Sequence, residues 1–105
     1  MNNSLQSSVG LLHQIGSIER MEPGKLCVIS QGKQGPYYNL QCREDGKTVS
    51  RYVPRDQFET VREHTDNYRK FRKLVDRYAR EIITRTRAER EGAKKKRDRP
   101  PVDGR

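Results

Sequence analysis

From Arg55 to Glu91 the sequence contains neither glycine nor proline. Nothing in that run interrupts a helix, and its apolar residues recur at steps of three and four. The spacing predicts one long helix over 55–92. Pro54 or Arg55 opens it, and Asp56 in the first turn suits the positive end of the helix dipole. Phe58, Val61, Thr65, Tyr68, Arg72, Val75, Ala79 and Ile82 form a heptad-like stripe, interrupted at Thr65 and Arg72. A helix of about 38 residues spans roughly 57 Å at 1.5 Å per residue.

The segment before it reads as a three-stranded antiparallel meander over 25–53. Asp45-Gly46 is a strong two-residue hairpin signal, because a type I′ turn needs positive φ at both central positions. It joins a strand over 36–44 to one over 47–53. Gly32-Lys33-Gln34-Gly35 turns the chain after a first strand over 25–31. With Glu44 opposite Lys47, Cys42 faces Val49, Leu40 faces Arg51 and Tyr38 faces Val53. With Gln31 opposite Pro36, Ile29 faces Tyr38 and Cys27 faces Leu40. One face then collects Cys27, Ile29, Tyr38, Leu40, Cys42, Val49 and Val53, with Arg51 among them. The other collects Tyr37, Asn39, Gln41, Arg43, Thr48, Ser50 and Tyr52, with Leu26 and Val28 on its first strand. A sheet this small needs cover on its apolar face, and the flanking helices are expected to supply it.

At the N-terminus, Leu5, Val9, Leu12, Ile15 and Ile18 recur at helical spacings. They predict a helix over 4–21, with Ser4 as N-cap, ended by Glu22-Pro23-Gly24. The expected fold is therefore α+β: an N-terminal helix, a three-stranded meander and one long helix in a single domain over 1–92. Residues 93–105, AKKKRDRPPVDGR, are basic and of low complexity. They read as a disordered tail.

Hydrophobic residues make up 30% of the chain, against roughly 45–50% in ordinary globular domains, a figure that includes glycine. The core must be thin, and the long helix outreaches the meander. Its distal half has to meet the N-terminal helix, a second subunit or solvent. Val75, Tyr78, Ala79, Ile82 and Ile83 are the candidate contact for a homodimer or for a recombinase-type protein partner. No window approaches the roughly 18 apolar residues of a membrane span, and the first ten residues do not read as an export signal. With two cysteines read as reduced thiols, the expected location is cytoplasmic.

The net charge is +9, unevenly spread. Residues 1–53 carry six Lys/Arg and four Asp/Glu, or +2; residues 54–105 carry seventeen and ten, or +7. A basic half points to an anionic partner, nucleic acid before an acidic membrane surface, or else to a solubility surface.

The run GPYYNLQCREDGKTVSRYVP, followed by NYRKFRKL, resembles a bacterial and archaeal family of small domains of unknown function. Genes of that family often lie near transposase or integrase genes. The resemblance spans residues 35–78 and implies no activity, though it suggests a mobile-element accessory role. Members of the family typically carry a cysteine cluster just before the Gly-Pro-Tyr element. Here that stretch is LCVISQGKQG, with Cys27 alone, so a metal knuckle is not carried over.

Catalytic and metal chemistry find no foothold. Structural zinc sites usually take four ligands, with Cys pairs at short spacing. Cys27 and Cys42 are far apart in sequence, and His13 and His64 fall on different helices, so no metal and no cofactor are expected. No Ser-His-Asp arrangement, phosphate loop or H-E-x-x-H run occurs. Glu59, Glu63, Asp66 and Asp76 alternate with arginines and lysines as in ordinary helix ion pairs.

What the residues favour is a non-catalytic binding module. Arg69, Lys70, Arg72, Lys73 and Arg77, with Lys94, Lys95, Lys96 and Arg97, could follow a phosphate backbone. Tyr37, Arg43 and Tyr52 form a second candidate surface, able to stack bases or to pair across strands for stability alone. The alternative is a protein–protein adaptor or homodimerisation module built on the long helix.

Overall fold

A computed structural model describes the backbone of residues 3–97 and the side chains of residues 7–93. The elements are α1 (Asn3–Gly16), β1 (Lys25–Ser30), β2 (Tyr37–Glu44), β3 (Lys47–Val53), a 3-10 turn (Arg55–Gln57) and α2 (Phe58–Arg97). The α+β architecture matches the sequence expectation. The sheet is a plain antiparallel meander in the order β1-β2-β3. The chain groups into two compact units: Ser17–Lys73, and α1 together with α2 from Leu74 onward.

The Asp45-Gly46 hairpin forms as its sequence requires, with φ of 54° and 79°. It sets the β2–β3 register, in which Glu44 faces Lys47, Cys42 faces Val49, Leu40 faces Arg51 and Tyr38 faces Val53. The β1–β2 register is one residue off the expectation. Leu26 faces Leu40, Cys27 faces Asn39 and Val28 faces Tyr38, with an irregularity between Val28 and Ser30. The longer connection through Gly35, at φ 103°, leaves Pro36 outside the ladder. Because side chains alternate, this one-residue slip moves residues 25–28 to the other face, while beyond the irregularity Ser30 faces Tyr37 as the expected register has it. Leu26 and Val28 therefore join the Leu40 face, and Cys27 joins the tyrosine face.

On the apolar face Leu40 and Val53 are buried. The Tyr38 ring stacks at 4.3 Å on Phe58 from the start of α2. Gly24 comes so close that a Cβ there would stand 2.8 Å from Leu40 Cδ1 and 2.9 Å from the Gln41 carbonyl.

α1 stops at Gly16 rather than 21, and Ser4 lies inside its first turn rather than capping it. Beyond Gly16 the backbone takes partners on α2 instead of within its own helix. Asn67 Nδ2 donates to the Arg20 carbonyl at 3.0 Å, and the Glu22 N–H donates to the His64 carbonyl at 3.1 Å. Interior glycine already costs about 1 kcal/mol relative to alanine, so these bonds decide the end.

α2 has 40 residues and continues through Arg97, so residues 93–97 are helical where a tail was expected. Residues 98–105 of that expected tail lie outside the described residues. The heptad stripe holds only in the first half, where Phe58, Val61, Thr65 and Tyr68 face inward. In the second unit the inward positions are Leu74, Tyr78, Ile82 and Arg85, not Val75 and Ala79. An α-helix of 3.6 residues per turn drifts off a 3.5-residue repeat, and α2 is not held to a single seam.

Candidate nucleic-acid interface

The polar face of the sheet is built by alternation. β2 contributes Tyr37, Asn39, Gln41 and Arg43; β3 contributes Thr48, Ser50 and Tyr52; β1 contributes Lys25 and Cys27. Gln41, Arg43, Thr48, Ser50 and Lys25 are exposed, and Tyr52 is 59% exposed directly opposite Asn39. None of these paired positions is a carboxylate. Glu44 lies on the opposite face, where Arg51 holds it at 2.8 and 3.2 Å. That hydrogen bond, followed by the charge attraction, holds the Glu44 carboxyl below its ordinary value and pushes Arg51 up. Arg51, the one cation in the middle of the apolar face, thus finds its partner across the hairpin and not on the long helix.

Arg43 is held at one end of the polar face. Its Nη2 donates to the Gly46 carbonyl at 2.7 Å, and its Nη1 reaches Thr48 Oγ1 at 3.5 Å. At the other end stands Arg55, which sequence reading passed over as a helix opener. Its Nε donates to the Pro36 carbonyl at 3.2 Å, and its Cζ lies 5.3 Å from the centre of the Tyr37 ring. The ring in turn lies against Gly32, where a Cβ would come within 2.7 Å of Tyr37 Cε2. The Gly35 N–H donates to the Gly32 carbonyl at 3.0 Å and closes the turn that carries Lys33. Of the two glycines bracketing Lys33, Gly32 leaves room for the Tyr37 ring and Gly35 for the Arg55 guanidinium. What the sequence lacked was the fold that returns Arg55 to that turn.

The basic stretch of α2 is arranged differently. Arg62 is paired with Glu59 at 2.6 Å, and Arg69 with Asp66 at 2.7 Å. Arg80 is paired with Asp76. The bond to Glu59 raises the Arg62 pKa. Arg69, expected to contact phosphate, therefore already has a carboxylate. Arg72 donates to the Tyr68 hydroxyl at 3.1 Å and lies 5.8 Å from that ring's centre. Lys70, Lys73 and Arg77 are exposed. Lys94, Lys95, Lys96 and Arg97 lie outside the described side chains.

Of the residues expected at a dimer contact, Tyr78 and Ile82 turn inward, while Val75, Ala79 and Ile83 are exposed. Cys27 and Cys42 project from opposite faces of the sheet, not from one face as the expected register had it. Among the described residues, no three of His, Cys, Asp and Glu come together as a metal site. No described helix is long and apolar enough to cross a membrane.

A family model described as a domain of unknown function (DUF6788) matches residues 6–63, more than half of the chain. The match takes in most of α1, the whole sheet, Arg55 and the first turns of α2; Arg69 and the basic residues after it fall outside. No curated protein and no solved structure matches the chain.

Proposed function

The chain belongs to the DUF6788 family of domains of unknown function, and for it we propose a non-catalytic nucleic-acid-binding module that acts through phosphate contacts. One observation carries this reading: the polar sheet face is exposed over Lys25, Gln41, Arg43, Thr48, Ser50 and Tyr52 and free of carboxylates at its paired positions, and the arginines at its ends are held by neutral groups. A carbonyl, a hydroxyl and an aromatic ring orient Arg43 and Arg55 without cancelling their charge. Such guanidiniums suit phosphate, which they grip with a planar fork of donors. Lys25 and Lys33, with Lys70 and Lys73 on the same unit's part of α2, add to the positive field. The mobile-element role that the family resemblance implies is a proposal of the same standing.

Fluorescence anisotropy of a labelled oligonucleotide at two salt concentrations tests the reading. We expect affinity to fall steeply with salt. Arg43→Ala and Arg55→Ala are each expected to reduce the salt slope by about 1. Absence of binding at low salt, or binding indifferent to both variants, would sink the proposal.

A second reading rests on exposed apolar residues in the other unit. Val75 and Ile83 on α2 are 40% and 44% exposed, with Ala79 between them, and Val9 and Leu12 are exposed on α1. An apolar row at i, i+4, i+8 is what an adaptor or homodimerisation helix presents. Sedimentation velocity of the Val75→Asp/Ile83→Asp double variant separates the two functions. Under this reading an assembly seen in the parent dissolves while oligonucleotide affinity stays unchanged. A parent that is monomeric at tens of micromolar rules out self-association.

A further inference from the structure

Resting on the nucleic-acid reading above, we infer that the ligand of the sheet face is an unpaired strand, laid along β2 with a phosphate on Arg55 and a base on Tyr52. Three features of the face carry this.

The first is width. The major groove of a duplex admits a helix or a two-stranded ribbon. Here a third strand, β1, adds Lys25 and Cys27 to the same face. Strands lie about 4.8 Å apart, so the face is a platform and not a ribbon. A platform can meet the outside of a duplex only along its phosphates, leaving Tyr52, Asn39 and Gln41 without partners.

The second is what stands on the platform. Tyr52 is the exposed ring, and the side chain directly opposite is the amide of Asn39, with Gln41 one alternation further along β2. A ring face stacks on any unpaired base, and amides pair with base edges that a duplex keeps occupied. Tyr37, Asn39, Gln41 and Arg43 extend over about 20 Å at the rise of a strand. That gives a strand a track with a guanidinium at each end.

The third is the state of Arg55. Guanidinium offers five N–H donors, and the Pro36 carbonyl takes the one on Nε. The guanidinium lies 5.3 Å from the centre of the Tyr37 ring and beside Gly35, where the absent Cβ leaves it room. The two Nη groups are left as a preset fork, a geometry that matches phosphate in bidentate fashion. Arg55 thus sets where the strand starts, and Tyr52 supplies the discrimination against paired bases.

The experiment uses the full chain and labelled probes of about 16 nucleotides. These are single-stranded DNA, the same sequence as RNA, the matching duplex, and a single strand with abasic sites. The proteins are the parent, Tyr52→Ala, Tyr52→Phe and Arg55→Lys, each checked for folding by its thermal melt. We expect the parent to hold the intact single strand at least about ten-fold tighter than the duplex or the abasic strand. Tyr52→Ala should abolish that preference, and Tyr52→Phe, which keeps the ring, should retain it. Arg55→Lys should weaken intact and abasic strands alike, because it acts on phosphate. The DNA and RNA arms report whether the 2′-hydroxyl takes part. Equal, salt-sensitive binding of duplex, abasic and intact strands would overturn this inference and leave the electrostatic proposal standing. No binding of any probe at low salt would overturn both. The abasic comparison needs no variant, so it decides even if a substitution fails to fold.

Discussion

The Arg55 guanidinium lies 5.3 Å from the centre of the Tyr37 ring, and the ring lies flush against Gly32. These three residues come from the β1–β2 connection, the second strand and the 3-10 turn before the long helix, so the corner exists only in the folded chain. A methyl group at position 32 would meet Tyr37 Cε2 at 2.7 Å, nearer than side chains tolerate. Gly32→Ala should push the ring aside and loosen its cation–π contact with Arg55. We expect the melting temperature to fall by about 4–8 °C, the shift that 1 kcal/mol brings in a domain of this size. Affinity for an oligonucleotide should fall with it. An unchanged melt would show that the ring adjusts freely.

Gly24 is the tighter constraint. Its φ of 134° is one that residues with a Cβ rarely adopt, and a Cβ would lie within 3 Å of both Leu40 Cδ1 and the Gln41 carbonyl. Strain of this kind costs about 1–3 kcal/mol before any clash with the core is counted. Gly24→Ala should therefore destabilise the protein by about 2 kcal/mol or more. A urea melt measures this, and a loss below the noise of the method would contradict the packing described.

Cys27 and Cys42 lie on opposite faces of the sheet. A disulfide requires Cβ atoms about 3.5–4.5 Å apart and directed at one another, which opposite faces forbid. Mild oxidation of the folded protein should leave its intact mass without the loss of two hydrogens. Loss of two hydrogens from the folded monomer would mean that β1 pairs with β2 in the other register.

Glu44 and Arg51 predict a specific pH response. The hydrogen bond from Arg51 holds the folded-state Glu44 pKa below its ordinary value. A carboxylate depressed by folding contributes stability above its unfolded pKa and loses it as pH falls through the folded one. Glu44→Gln should thus melt slightly below the parent at neutral pH, with the difference closing in acid, below about pH 4. The pair is solvent-exposed, so the gap should be small and should shrink with added salt. A gap that persists unchanged at low pH would assign the effect to packing.

Much of this molecule was legible in local chemistry. Asp45-Gly46 demanded positive φ at two positions, and that demand set the β2–β3 pairing and its two faces. The run without glycine or proline after Pro54 could hardly be anything but a helix. The polar face with Tyr37, Arg43 and Tyr52 followed from alternation alone. The β1 register was not legible, because the connection through Gly32 and Gly35 has no single preferred geometry, and one residue of slack inverts a strand. The end of α1 was hidden for a related reason: Asn67 and the His64 carbonyl, remote in sequence, take the backbone groups of Arg20 and Glu22.

The sequence by itself determined the element types, the hairpin and the sign of the charge, since each depends on torsional preference or composition within a few residues. Local spacing on the helix already pairs Arg69 with Asp66, whereas tertiary structure alone decided the surroundings of Arg55. Arg69 meets Asp66 one helical turn away and is partnered by a carboxylate. Arg55 is brought back to Pro36 and Tyr37, which orient it without neutralising it. That difference depends on which groups come within about 3 Å through space, a distance that spacing along the chain does not specify once a sheet and a turn lie between them.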